Sequence, residues 1–153
     1  GALQAAAAVG EHIRFNTDLD DSLRELLILT VAQESRCAYE WTHHFHIAER
    51  LGIDKATLSA IGSDEAEALP APTGPALRYA RLVAKNDPVD DATVATLQDA
   101  FGDPDLLDLV DHVAVNVYAV HAQKLVIYGT SQDEAVRQRY GERLLELLDT
   151  VWN

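Results

Sequence analysis

Residues 26–32 read LLILTVA, apolar on nearly every side of a helix except at Thr30. A helix with that pattern is buried all round instead of along one stripe. The following segment behaves differently. Over residues 37–51 a helix turning about 100° per residue places Cys37, Glu40, Trp41, His44, Ala48 and Leu51 on one face. His43 and His46 point well away from it. A thiol, a carboxylic acid and an imidazole are thus stacked on the apolar side of a helix, and a polar cluster that is costly to bury asks for a reason.

The remaining pattern is helical as well. Residues 2–15 can form a helix, since alanine has the highest propensity. Asn16, Thr17 and Asp18 then read as a turn. Ser22 followed by Glu25 fits a capping box opening a helix that runs through Gln33. Ser35 caps the next helix in this reading, which puts Cys37 in its first turn, and Gly52 closes it. Asp54 caps a short helix ending near Gly62. The stretch 70–75, PAPTGP, is linker-like but too short to separate domains. Pro75 starts a helix to Asn86. Asp90 or Asp91 caps another, stopped by Gly102, and Asp103 with Pro104 opens a segment reaching about Ile127. Ser131 and Glu134 form a further capping box before a helix whose apolar side is Leu144, Leu145, Leu147 and Leu148. Strand-like alternation is absent. The expected fold is all-α, one compact helical domain over residues 1–153.

Charge removes several function classes. A net charge of −13 opposes sequence-independent binding to nucleic acid, which needs a basic footprint, and opposes an anionic membrane surface. No apolar run approaches the roughly 20 residues of a membrane span. The single cysteine excludes a disulfide framework and fits a reducing cytoplasm. The leading ALQAAAAV lacks the basic start of a secretory signal and is short for one, and Gly1 in place of methionine reads as a trimmed chain or as a residue added in cloning.

Each polar residue near the cysteine has a bland reading beside a chemical one. Glu25 can complete the capping box, or face the Cys37 cluster, or both. A lone buried cysteine is most often a small hydrophobe. A helix N-terminus would lower the Cys37 pKa, whereas the nearby Glu40 carboxylate would oppose a second anion. Glu40 and His44, four apart, can pair inside a core, or act as an acid/base pair in which the carboxylate orients the imidazole. Trp41 packs beside them and can form a pocket wall. Tyr39 falls on the opposite side of an ideal helix, at a helix or subunit contact. His43, His44 and His46 invite a metal reading, and Glu40-x-x-His43 is half a di-iron motif. Their side chains diverge and no second such motif exists, so neither metal nor cofactor is expected. His112 and Asn116 share a polar stripe with Asp108 on a later helix, and His112 is a second-rank pocket candidate.

The spacing of Glu25, Cys37, Tyr39, Glu40 and His44 resembles the signature of carboxymuconolactone decarboxylase-like and alkylhydroperoxidase D-like proteins. The text RELLILTVA followed by CAYEWTHH is similar to the branch with a tyrosine–glutamate–tryptophan motif. The redox branch carries Cys-x-x-Cys, whereas here Glu40 occupies the second cysteine's place, so an intramolecular disulfide cycle is impossible. The resemblance implies an alkylhydroperoxidase D-like fold in which two central antiparallel helices carry the motif. It also implies a homo-oligomer, as dimer, trimer or hexamer.

Three functions follow as expectations. The first is a cofactor-independent lyase or isomerase acting on a small organic acid or lactone. His44 would be its general acid/base, Glu40 the orienting partner, Glu25 a second relay group and Cys37 a hydrogen-bonding residue. Trp41, Tyr39, Arg36 and His112 are the substrate-binding candidates, Arg36 for a carboxylate. The second is a one-cysteine peroxidase or thiol redox protein using Cys37 and an external thiol. The third is a non-catalytic member acting in binding or assembly. Helical phase distinguishes the adjacent histidines: His44 lies about 20° from Cys37 around the axis and His43 about 120°. His44→Gln is expected to lower turnover by roughly 10²–10⁴-fold, the range for losing a general acid/base. His43→Gln should lower it far less. Steady-state rates on proteins with matched circular dichroism and oligomer size check this, and equal losses would mean the helix is phased differently.

Overall fold

The structure, a computed structural model, describes residues 2–127. The expected capping box at Ser131 and Glu134 and the Leu144–Leu148 face lie outside the described residues. Within them every regular element is helical, and the all-α expectation holds: α1 (Ala2–Phe15), α2 (Asp21–Glu34), α3 (Ala38–Arg50), α4 (Lys55–Ala60), α5 (Asp64–Glu67), α6 (Thr73–Lys85) and α7 (Asp91–Ile127).

The helix α2 sits at the centre because it has no polar stripe to turn outward. Its residues from Leu26 to Ala32 are all buried, with Leu27, Leu29 and Val31 fully so. Each such side chain contributes roughly 1.5–3 kcal/mol relative to exposure. The one hydroxyl in the run, Thr30, donates to the Leu26 carbonyl at 2.8 Å, which satisfies it without leaving the helix. Helices α3, α6 and α7 pack around α2, with α3 in the most extensive contact, while α1 lies against α7. A connection of three residues makes α2 and α3 a helical hairpin.

The caps differ from the sequence expectation in ways that matter for the site. Asp20 caps α2, its Oδ1 accepting the N–H groups of Ser22 at 2.9 Å and Leu23 at 3.2 Å. Ser22 therefore lies inside the first turn, and Glu25 is released from capping to turn inward, where it is buried. Likewise Ser35 ends α2 instead of starting α3, and Cys37 itself is the N-cap residue of α3, with φ −98° and ψ 92°. Asp54 caps α4 as expected, accepting from Thr57 N at 2.9 Å.

Helix α6 begins at Thr73, two residues before the proline expected to start it. Pro75 is tolerated there because the N–H groups of a first turn have no intrahelical acceptor. α5 is a single turn that the sequence pattern did not signal. In α7 the expected break is present: Gly102 adopts φ 72° and ψ 171°, a conformation accessible essentially to glycine, so two helical segments meet there.

Gly74 is required for a different reason. It is buried in the first turn of α6, and a Cβ there would strike the backbone carbonyls of Leu69 and Glu67, the latter at 2.6 Å. Backbone cannot swing aside as a side chain can. Gly74→Ala is therefore expected to destabilise the fold by about 1–3 kcal/mol, the range for overpacking. Chemical denaturation checks this, and an unchanged midpoint would show that α5 and α6 can separate freely.

Candidate active site

The turn between α2 and α3 sets the site. Cys37 N–H reaches back to the Ala32 carbonyl at 2.8 Å and Arg36 N–H to the Gln33 carbonyl at 3.0 Å, the paired bonds of a Schellman ending. That ending needs one left-handed residue, and here it is Arg36, with φ 52°. A position where glycine is the usual occupant thus carries a long cation at the mouth of the site. The chain then enters α3 at Cys37, which turns its thiol inward.

Behind that thiol lies a connected set of buried groups. Glu25 Oε2 on α2 is 2.7 Å from His44 Nδ1, and Glu40 Oε2, one turn before His44 on α3, is 3.1 Å from Nε2. One imidazole is thereby held between two carboxylates. The other oxygen of Glu40 accepts the side-chain N–H of Gln123 from α7, and the Gln123 carbonyl oxygen is 3.1 Å from Cys37 Sγ. His44 and Gln123 have no solvent exposure, Cys37 has 1%, Glu40 2% and Glu25 7%. Burial by itself would pull the imidazole pKa down. The hydrogen bonds to Glu25 and Glu40, with their charges, outweigh that and hold His44 above its ordinary value of 6.5.

Outside Cys37 is an open cleft of about 930 Å³ between the α2–α3 turn and α6. Cys37, Trp41 and Arg36 line one side, and Arg81, Lys85 and Asp87 the other. Arg81 is already committed: its guanidinium binds Glu34 at 3.0 Å, Asp64 at 3.1 Å and Glu67 at 2.7 Å, which raises its pKa further and ties α2, α5 and α6 together. Among the described residues, Arg36 and Lys85 are the other cations lining the cleft.

The profile of the carboxymuconolactone decarboxylase family matches residues 1–86, more than half of the 153-residue chain. The chain belongs to that family. No curated protein and no solved structure matches it. The matched region of this carboxymuconolactone decarboxylase family member holds Glu25, Arg36, Cys37, Glu40, Trp41 and His44, all placed at the network or the cleft.

Two substrate-binding candidates are placed elsewhere. Tyr39 is half-buried and stacks on His43, with ring centroids 6.3 Å apart and planes within 3°, so it faces away from the cleft as its helical phase requires. His112 is buried with Nε2 3.4 Å from the Arg24 carbonyl, where it ties α7 to the start of α2. It does not line the cleft. The three clustered histidines diverge: His43 goes to Tyr39, His44 to the carboxylates, and His46 to the surface near Glu49. Gln123 was missed. It comes from a helix 83 residues after Glu40, and no local spacing connects the two.

The raised pKa of His44 makes stability depend on pH with a definite sign. The folded state holds the imidazole proton more tightly than the unfolded chain, so this contribution is complete below about pH 6.5. It is lost as pH rises through the folded-state value. Urea denaturation between about pH 6 and 9 should show stability declining with rising pH, and a His44→Gln protein should lack that limb. A flat wild-type profile would contradict the pairing.

Proposed function

We propose that this family member is a cofactor-independent acid/base enzyme, a lyase or isomerase that acts on a small organic acid or lactone. The observation that carries the reading is the His44 imidazole held between Glu25 and Glu40 and sealed from water. Loss of carbon dioxide beside a carbonyl leaves negative charge to be stabilised and a carbon to be protonated. An imidazolium clamped by two carboxylates is a stored proton suited to that step. Glu40 orients the ring, and Glu25, the most exposed of the three, exchanges protons with the surroundings. His44 does not line the cleft, and both of its ring nitrogens face carboxylates. Its proton therefore reaches a substrate only through the bonded chain from Glu40 by Gln123 to Cys37, the member that lines the cleft, with the substrate's carboxylate toward Arg36 or Lys85.

One observation favours a thiol reaction instead: of the five connected side chains, Cys37 is the one that lines the cleft. Against it, the sulfur faces the carbonyl oxygen of Gln123, an acceptor that stabilises S–H over thiolate. The chain has no second cysteine to resolve an oxidised sulfur, which would then need an external thiol.

Cys37→Ser separates the two. A hydroxyl keeps the hydrogen bond and nearly the shape, so acid/base turnover should stay within about an order of magnitude. Purified wild type and variant are to be assayed against lactone acids and against hydroperoxides. Complete loss in a well-folded variant would transfer the assignment to the thiol, and no turnover of either class by wild type would leave a binding or assembly role.

A further inference from the structure

We infer that Gln123 is a positioning residue whose amide decides where the proton lies between Cys37 and Glu40. It lies outside the residues matched by the family profile, and its role does not depend on which reaction the site performs. A primary amide has one accepting end and one donating end, about 2 Å apart, and cannot offer the same end to both neighbours. An ionised Glu40 can only accept, so it takes the Nε2–H and turns Oε1 toward the sulfur. With Oε1 at 3.1 Å, Cys37 is held as the S–H donor. A thiolate in that place would face lone pairs and be opposed.

The amide therefore permits two arrangements. In one, Cys37 is a thiol and Glu40 a carboxylate. In the other, the amide is turned over, its N–H groups support a thiolate, and its oxygen accepts from a protonated Glu40. The interconversion breaks the S–H bond and forms an O–H bond on Glu40, so the proton count and the single negative charge of the pair are conserved. Gln123 has no solvent exposure, so bulk water does not reach either end of the amide. Other charges face this region: Glu25 from α2 and His44 from α3 on the inner side, and Glu34, Arg36, Arg81, Lys85 and Asp87 around the cleft. Glu40→Gln also removes the contact with His44, but it does so in both Gln123 backgrounds, so these influences cancel when the two shifts are compared.

The single cysteine makes the test direct, because thiolate absorbance in the far ultraviolet reports Cys37 alone once the Cys37→Ser signal is subtracted. The titration is to be run on wild type, Glu40→Gln, Gln123→Met and the double variant. Glu40→Gln removes a charge in both backgrounds, but only where Gln123 is present can the freed amide turn and donate to the thiolate. The downward shift caused by Glu40→Gln should therefore exceed that in the Gln123→Met background by about one pH unit or more, the worth of a hydrogen bond to a charged group. Equal shifts would overturn the inference and leave charge repulsion as the whole coupling. If Gln123→Met does not fold, the S–H stretching band of wild type decides. A band at lower frequency than in the unfolded protein supports the donor assignment, and one at the free-thiol position overturns it.

Discussion

An imidazole withdrawn from water and held by a carboxylate on either side is the interaction around which this fold is arranged. Neither carboxylate would be tolerated at that depth alone, since removing an ion from water without a partner costs several kcal/mol. His44 lies 3.1 Å from Glu40 within α3 and 2.7 Å from Glu25 on α2, and the second contact holds the two helices in one fixed register. The apolar run of α2 makes that possible. With Leu27, Leu29 and Val31 covered on every side, the helix is anchored well enough to present a charged residue inward at its first full turn.

The face of α3 was legible because it depends only on helical phase. Cys37, Glu40 and His44 had to share a side, and Tyr39 had to leave it, whatever packed around them. Helix order and most boundaries were legible for the same reason, since the caps and breakers act locally: Asp54 before α4, Gly102 within α7. Glu25 was ambiguous because Ser22 offered it a local partner. Asp20, two residues earlier, took the capping role and freed the glutamate, a competition between neighbouring side chains that pattern alone does not decide. Gln123 was not legible at all. Its meaning comes from a tertiary contact across 83 positions, and a glutamine in a long helix has no feature that distinguishes it from a solvated one.

Polar groups at the site are sorted by what they can donate or accept, more than by charge. Glu40 uses one oxygen toward His44 and the other toward Gln123, so its accepting capacity on the inner side is divided between a ring and an amide. Arg81 shows the complementary case: a guanidinium at the edge of the cleft whose donors are taken by Glu34, Asp64 and Glu67. Its place at the cleft would suggest a ligand receptor. Its bonds make it a brace holding three helices at the spacing the cleft needs.

The left-handed backbone at Arg36 has a consequence for anyone seeking to make the protein sturdier. Routine stabilisation replaces strained non-glycine residues with glycine, and such changes are often favourable because natural chains seldom sit at their stability optimum. Arg36 is an obvious target by that rule, having φ 52° on an exposed turn. It also carries one of the two cations at the mouth of the cleft not engaged by the Glu34–Asp64–Glu67 brace. Robustness and the electrostatic character of the entrance are therefore set by the same residue and pull it toward different side chains.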